Sequence, residues 1–142
     1  MSEIKTSPQA AALLAERKDL GALANNMGIK LVELSAEYSV ATMPVEGNTQ
    51  PVGILHGGAH VVLAESLGSM SANVWAYPEK LAVGIEVNAS HTRSVASGVV
   101  TATCRALNLG KSLTLHEIEI TDEQGRRLST VRITNFLKER SA

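Results

Sequence analysis

The chain has 142 residues, a formal net charge of −1 at neutral pH and one cysteine. This length suits one domain with a real hydrophobic core, spanning residues 1–142. The near-zero charge gives no overall reason to expect nucleic acid or a membrane as a partner, and no apolar run approaches the length of a membrane span. Cys104 cannot form an internal disulfide and no signal peptide is recognisable, so we expect a cytoplasmic protein.

The first part of the chain, residues 1–28, reads as a helical segment. Ser7-Pro8 has the pattern of an N-cap followed by proline at the first helical position. A helix rich in alanine and leucine is predicted from Ala10 to about Asn26, and Gly28 would end it. We interpret this helix as a packing element without chemistry of its own.

Two short strand-like runs follow, at residues 29–35 and 38–45. In the second run, side chains of two kinds alternate, which is typical of a half-buried strand. Residues 46–51 form a loop by composition. This loop leads directly into the central stretch of the chain.

The central stretch, residues 53–72, opens with His56 and the pair Gly57-Gly58. It then becomes a strong helix former that is apolar on nearly every side, and such helices are normally buried. Glu65 lies in its middle, where a lone carboxylate is unfavourable unless something pairs with it or uses it. Pro78 ends the region. We therefore predict a buried central helix that carries a functional carboxylate.

The rest of the chain is almost entirely strand-like. We predict four strands in an antiparallel meander, at residues 81–91, 98–106, 112–121 and 127–136. Turn-forming residues at 108–111 and 122–125 fit hairpin connections. The hydrophobic alternation is interrupted in the third of these strands. In a regular strand, Leu113 and Leu115 would point to one face and Ile118 and Ile120 to the other. A β-bulge near His116 would explain this interruption.

This order of elements predicts an α+β fold in which one long helix packs against one antiparallel sheet. The sheet covers only one side of a helix that is apolar all round. A second copy of the chain is the simplest cover for the remainder, so we expect a homo-oligomer.

The start of the central helix could stabilise an oxyanion. Backbone N–H groups at Gly57 and Gly58 have no intrahelical acceptor, and glycine lets a ligand approach closely. Glu65 could act as a general base or nucleophile. Eight residues separate Gly57 from Glu65 by roughly 12 Å along the helix axis, too far for one carbonyl to reach both. Two antiparallel copies of the helix would solve this, so we expect active sites shared between subunits.

Simpler interpretations apply to the individual residues. Gly-Gly precedes many helices, and a histidine such as His56 is often only a cap. His60 and His116 are expected to be structural. Cys104 lies on the apolar face of a strand and is expected in the core, not as a nucleophile. No His and Cys cluster indicates a metal site, and we expect none.

Five motifs stand out when the chain is taken as a whole: QPVGILHGGA at 50–59, ESLGSM at 65–70, VGIEVNASHTR at 83–93, LNLGK at 107–111 and DEQGRR at 122–127. Together they resemble the hotdog-fold thioesterases. The likeness is strongest to the bacterial group that includes 1,4-dihydroxy-2-naphthoyl-CoA hydrolase and the proofreading thioesterase of enterobactin synthesis. It extends over about residues 27–137.

The resemblance implies a hotdog fold and an acyl-CoA thioesterase activity. Glu65 would be the catalytic carboxylate, acting as a base toward water or as a nucleophile. The Gly57 N–H would polarise the thioester carbonyl. His56 and Gln50 would help to place that carbonyl or the water, and Ser69 would assist near Glu65.

The resemblance also implies where the substrate binds. The acyl and pantetheine tunnel would be lined by Gly84, His91, Thr92, Arg93 and Ser94. The nucleotide end of CoA would contact Asn108, Leu109, Gly110, Lys111, Ser112 and Leu113. Lys111 and Arg93 would be available for the phosphates, and Ser94 stands where some members of the family have proline, which affects the shape of the tunnel. Members are commonly tetramers built as dimers of dimers, and they need no cofactor beyond the CoA of the substrate.

The acyl group is less well defined by the sequence. Aromatic residues make up only 3% of the chain, so a pocket of stacked rings is not expected. We expect an aryl-CoA or a short- to medium-chain acyl-CoA, with a small aromatic group lying against Leu67, Met70 and Val74.

Two other functions are compatible with this fold. A hotdog dehydratase or hydratase would pair a histidine with a carboxylate around a proline-rich entry, which this sequence lacks. A non-catalytic acyl-CoA-binding sensor would carry an added DNA-binding segment, for which the length leaves little room. Glu65 separates these classes, because a pure binder gains nothing from a lone buried carboxylate.

Overall fold

A computed structural model describes residues 3–141 of the chain. The helices and strands, in chain order, are β1 (Lys5–Thr6), α1 (Pro8–Arg17), α2 (Ala22–Asn26), β2 (Lys30–Leu34), β3 (Tyr38–Pro44), α3 (Gly57–Ala76), β4 (Lys80–His91), β5 (Val99–Leu109), β6 (Leu113–Thr121) and β7 (Arg127–Glu139). None of the helices in this part of the chain has the length and hydropathy that crossing a bilayer would require.

The strands form one seven-stranded sheet in the order β1-β2-β3-β5-β6-β7-β4. Neighbouring strands are antiparallel, except that β1 runs parallel to β2. The sheet wraps around α3, and the main core lies between them. The predicted α+β architecture, one long helix against one antiparallel sheet, is confirmed.

Close helix–sheet packing holds α3 in place. The helix has 20 residues, and Leu63, Ala64 and Leu67 are fully buried against the sheet. At Gly68 an added Cβ would lie only 2.6 Å from Ile133 Cγ2, so a larger residue there would push the helix away from β7. The sequence prediction of a central helix in this position is confirmed.

The predicted N-terminal helix is wrong in its extent, because the chain breaks it into α1 and α2. Lys18 has a positive φ of 72° and Gly21 a φ of 99°, neither of which continues a helix. The Asp19 carboxylate accepts hydrogen bonds from Gly21 N (2.8 Å) and Asn25 Nδ2 (3.2 Å), which stabilises the turn and starts α2. The short strand β1 was not predicted.

The predicted meander is wrong for its first strand. β4 does not lie beside β5 but at the far edge of the sheet, where it pairs with β7. The chain crosses over from β4 to β5 through residues 92–98. Thus β5, β6 and β7 form the meander, and β4 is an edge strand with one side unpaired in the isolated chain.

The bulge predicted near His116 lies opposite that residue, in β5 and not in β6, because Ala106 pairs with His116 and Asn108 with Leu115. β6 alternates regularly, and it is Thr114 and His116 that point inward beside Ile118 and Ile120. The register shift lies in β5, between Ala106 and Asn108. Hydropathy assigned the inward face to leucines, whereas two polar residues occupy it.

Candidate active site

His56 caps the start of α3. Its Nδ1 accepts a hydrogen bond from Gly58 N (2.8 Å), so the neutral ring carries its proton on Nε2. The Gly57 N–H points from the first turn and has no acceptor among residues 3–141. The helix start therefore offers a free backbone donor at Gly57 and a side-chain donor at His56.

The Gly57 donor borders a cavity of about 330 Å³, which we call the Gly57 cavity. Its lining residues are Gln50, Ile54, Leu55, Gly57, His60, His91, Thr92, Arg93 and Ser94. A backbone hydrogen bond from Leu55 N to Val95 O (2.8 Å) joins the loop before α3 to the segment after β4, and one from His56 N to Asn48 O (2.9 Å) closes that loop on itself. The tunnel residues 91–94 implied by the family resemblance thus lie beside the expected oxyanion donor.

A pair of histidines lies behind the Gly57 donor. His91 Nε2 is 3.1 Å from the position that a Cβ on Gly57 would take, and His91 Nδ1 lies 2.9 Å from Ser129 Oγ. The ring of His60 stacks at a centroid distance of 5.0 Å from that of His91. Burial, and then the neighbouring His91, lower the pKa of His60 to about 4, which keeps it neutral at physiological pH.

Glu65 lies on an open stripe of α3 in the isolated chain. The members of this stripe are Gly58, Val61, Val62, Glu65, Ser66 and Ser69. Small residues and two valines made this stripe look buried, although the sheet packs only against the opposite face. Glu65 is exposed, and its stripe is the uncovered surface for which a second copy was predicted.

The middle of α3 borders a second cavity of about 380 Å³, the Glu65 cavity. Its lining residues are Arg17, Leu20, Leu23, Ala24, Val62, Glu65, Ser66, Ser69, Met70 and Asn73. Ser69 is one helical turn from Glu65 on the same face. Arg17, which donates a hydrogen bond from Nη2 to Asn73 Oδ1 (3.0 Å), closes one end.

Gly84 of β4 brings the sheet close to the Glu65 carboxylate. A Cβ placed on Gly84 would lie 3.8 Å from Glu65 Oε2 and 3.7 Å from Asn135 Oδ1. The absence of a side chain at Gly84 therefore leaves space beside the carboxylate. A register shift in β4 between Gly84 and Glu86 bends the strand at the same point.

The structure divides the sequence-predicted site residues into groups. Gln50, Gly57 and residues 91–94 line the Gly57 cavity, and Glu65, Ser69 and Met70 line the Glu65 cavity. Gly84 lies beside the Glu65 carboxylate without lining that cavity. The two cavities have no lining residue in common, and roughly 12 Å of helix separates Gly57 from Glu65.

The predicted nucleotide-binding segment lies elsewhere. Residues 108–113 sit at the C-terminal end of α3, where Gly110 O accepts a hydrogen bond from Trp75 Nε1 (2.8 Å) and Lys111 O one from Lys80 Nζ (2.9 Å). Arg93, at the other end, is separated from Lys111 by about 27 Å along α3. On one chain they do not form a single phosphate site.

Sequence reasoning missed several residues that line these cavities. Leu20 and Leu23 of the N-terminal segment, interpreted as packing, line the Glu65 cavity together with Arg17. Their open position follows from the break between α1 and α2, which the Asp19 and Gly21 turn signal could have indicated. His60, expected to be structural, lines the Gly57 cavity.

Other candidates lie in the core. Cys104 is buried, and burial raises the pKa of its thiol to about 12, which is unsuited to a nucleophile. His116 is buried with its Nε2 2.8 Å from Ala36 O, and burial lowers its pKa. Across residues 3–141, no three His, Cys, Asp or Glu side chains come together as a metal-ligand group.

Comparisons with known proteins identify the family of the chain. Residues 52–129 match the model of the thioesterase superfamily. The chain is 44% identical over 116 residues to a proofreading thioesterase EntH of Cronobacter turicensis, covering 81% of this chain and 85% of that protein. It is 42% identical over 118 residues to 1,4-dihydroxy-2-naphthoyl-CoA hydrolase of Escherichia coli K12, covering 82% and 87%.

A crystal structure of a mutant of thioesterase PA1618 from Pseudomonas aeruginosa superposes with a TM-score of 0.84. The two proteins are 35% identical, and the match covers 98% of this chain and 100% of that one. Both the sequence likeness and the shared architecture confirm the family that the motifs indicated. The chain therefore belongs to the thioesterase superfamily and is a hotdog-fold acyl-CoA thioester hydrolase.

Proposed function

We propose that hydrolysis takes place where the Gly57 cavity of one chain meets the Glu65 cavity of another. The observation that carries this proposal is the division of donor and carboxylate between separate cavities on α3. A carbonyl carbon must lie about 3 Å from its attacking atom while its oxygen contacts the donor. An antiparallel pair of α3 helices meets both conditions.

In the proposed mechanism, Glu65 acts as a general base. It removes a proton from water as the water oxygen bonds to the thioester carbon. The Gly57 N–H, with His56 Nε2–H and Gln50, stabilises the negative charge on the carbonyl oxygen. Collapse of the tetrahedral intermediate breaks the C–S bond, and the proton held by Glu65 passes to the CoA thiolate. Ser69 orients the carboxylate, and a thioester is reactive enough that no further cofactor is needed.

Two features of the isolated chain support a dimer. β4 is a 12-residue edge strand with Val83 and Ile85 exposed, and a long exposed edge invites pairing with another strand. The uncovered stripe of α3 includes Val61 and Val62 beside Glu65. Pairing β4 with its copy about a two-fold axis would extend the sheet and bring the two stripes together.

A patch on the outer face of the sheet supports further pairing into a tetramer. Val83, Phe136 and Leu113 are directly opposite one another on β4, β7 and β6. Their exposed fractions are 37%, 42% and 44%. Clustered apolar side chains of this kind typically mark a protein–protein contact.

The Glu65 cavity fits a compact acyl group. Its apolar wall consists of Leu20, Leu23, Val62 and Met70, and no aromatic side chain lines it. We therefore assign an aryl-CoA or a short- to medium-chain acyl-CoA as substrate, in keeping with the naphthoyl-CoA hydrolase relative. Residues 91–94 would hold the pantetheine. Arg93 of one chain and Lys111 of another would bind the phosphates of CoA. A buried free thiol at Cys104 accords with a cytoplasmic location.

Replacing the carboxylate tests this function. Glu65→Ala should retain the fold and lower kcat by about 10²- to 10⁴-fold, the usual effect of losing a general base. Free thiol release from aromatic and straight-chain acyl-CoAs gives the rate. Glu46→Ala, which removes a carboxylate from an exposed loop, is the matched control and should leave kcat unchanged. A kcat of Glu65→Ala close to that of wild type would contradict the assignment of Glu65 as the general base.

A further inference from the structure

The inner face of the sheet carries polar atoms in an unexpected place. Asn135 is fully buried on β7 between the apolar residues Ile133 and Leu137. Neither its Nδ2 nor its Oδ1 has a hydrogen-bond partner among residues 3–141. Thr114, directly opposite on β6, is also fully buried, and its Oγ1 is equally unpartnered. Such groups are destabilising unless a water or a ligand satisfies them.

These atoms lie beside the Glu65 carboxylate. Gly84 is opposite Asn135 on the neighbouring strand β4, and the Cβ that Gly84 lacks would be 3.7 Å from Asn135 Oδ1 and 3.8 Å from Glu65 Oε2. The two oxygens thus border the same space and are at most about 7.5 Å apart. A water that makes hydrogen bonds of about 2.8 Å to both oxygens needs them within about 5.6 Å of each other, a separation that this upper bound allows.

The carboxamide has the chemistry to orient a water. It offers an acceptor and two donors, and the Thr114 hydroxyl offers one of each. A water that donates one hydrogen to Glu65 and the other to Asn135 Oδ1 has its lone pairs directed away from both. Those lone pairs are then available to a carbonyl carbon that enters from the open side of Glu65.

We propose that Asn135, supported by Thr114, is a positioning residue that holds the attacking water against Glu65. This inference rests on the proposed role of Glu65 as the base. Gly84 contributes to this arrangement, because its missing side chain and the adjacent bulge leave room for the water between Glu65 and Asn135. Asn135 acts through the water and does not contact the acyl group.

The first test is Asn135→Leu, which keeps the approximate shape and removes all polar atoms. We expect kcat to fall roughly 10- to 100-fold with KM within about threefold, because water orientation affects the transition state and not binding. The melting temperature should equal or exceed that of wild type, because the buried groups being removed are unsatisfied. Higher stability combined with lower kcat is not expected for a residue whose role is only structural.

The matched control is Thr134→Val. It removes a hydroxyl from the next residue of β7, which points to the other face of the sheet, and should leave kcat unchanged. Asn135→Thr, which returns a hydroxyl to the site, should recover part of the lost kcat. A kcat of Asn135→Leu within about twofold of wild type would overturn the proposal.

A double-mutant cycle separates this inference from the function on which it rests. If the water is held for Glu65, then adding Asn135→Leu to Glu65→Ala should change kcat by less than about twofold. Additive losses would mean that Asn135 acts independently, and the inference fails. If Glu65→Ala itself retains activity, the proposed function fails instead.

Gly84→Ala keeps the proposal testable should Asn135→Leu fold poorly. The added methyl would meet its neighbours at ordinary contact distances of 3.5–3.8 Å, so the fold should be retained. It would nevertheless occupy the water space, and we expect kcat to fall roughly tenfold or more with an unchanged melting temperature. Undiminished kcat in folded Gly84→Ala would reject a water at this position.

Discussion

The Gly57 cavity and the Glu65 cavity differ in what surrounds them. The Gly57 cavity lies between the loop before α3, the first turn of α3 and residues 91–94 at the end of β4. It contains backbone donors, histidines and Gln50. The Glu65 cavity is formed by the middle of α3 and the N-terminal helices, and it combines one carboxylate with leucines and Met70. The contrast teaches that one chain holds the Gly57 backbone donor and the Glu65 carboxylate too far apart for both to contact the same thioester.

The largest expected effect tests this separation directly. Glu65→Ala and Gly57→Leu should each be inactive, the second because its side chain would block the donor and displace His91, whose Nε2 is already 3.1 Å from a Cβ at Gly57. Refolding the two variants together should restore up to about a quarter of wild-type activity, because a mixed dimer contains one intact site. Thiol release by the mixture is the measurement.

Each variant refolded alone is the control for this experiment. Mixed dimers, identified by a tag on one variant, must be isolated before the rates are compared. If they form and are no more active than either parent, the two cavities do not serve one site.

The next largest effect is the pH dependence of stability, and it arises from the histidines at the Gly57 cavity. The pKa of His60 is lowered from 6.5 to about 4 in the folded chain, so the unfolded state binds the extra proton first as the pH falls. Stability is therefore fully present above about pH 6.5 and declines toward pH 4, by roughly 3 kcal/mol. His60→Gln should flatten this decline in denaturant unfolding experiments at a series of pH values. An identical pH dependence of stability in the variant would show that the protonation of His60 does not cause the decline.

A smaller effect distinguishes the two cationic positions. Arg93→Ala and Lys111→Ala should each raise KM for acyl-CoA by roughly three- to tenfold with little change in kcat, because phosphate contacts bind ground and transition states alike. An N-acetylcysteamine thioester lacks these phosphates and should be unaffected. Lys138→Ala, an exposed lysine of β7, is the control. Equal losses with the truncated thioester would show that neither residue serves the nucleotide end.

The smallest effect concerns the wall of the Glu65 cavity. Leu23 is 60% exposed, and Leu23→Ala should enlarge the pocket at its open end. The ratio of kcat/KM for a longer over a shorter straight-chain acyl-CoA should rise by a few-fold, about 1 kcal/mol of pocket contact. Val32→Ala, an exposed valine outside the cavity, should leave this ratio unchanged. An unaltered ratio in Leu23→Ala would remove the N-terminal segment from substrate selection.

The sequence indicated the central helix and its candidate site residues because local signals define them. His56 as the cap, the glycines at the first turn and Glu65 are all close in the chain. The N-terminal wall could not be inferred in this way, since it depends on a left-handed Lys18 and on how α1 and α2 then pack against α3.

Hydropathy misled the interpretation wherever polar residues are buried. Thr114 and His116 occupy the inner face of β6, so an alternation based on the leucines gave the wrong inward face for the first half of the strand. Asn135 was overlooked for the same reason, because an inward asparagine has no apolar signature. Conversely, small residues and Val62 gave the stripe that contains Glu65 the apolar composition of a buried surface. Contacts between strands and the coverage of each helix face are properties of the whole fold, which a single chain segment does not encode.

The unpaired edge of β4 has a consequence for how activity scales with enzyme concentration. If the site is divided between chains as proposed, an isolated protomer would contain two incomplete halves and would have no turnover. Below the dissociation constant of the dimer, the rate becomes second order in protein, and above it the rate becomes first order. Dilution would then switch the enzyme off, and accumulated substrate that bridges both chains would switch it on again.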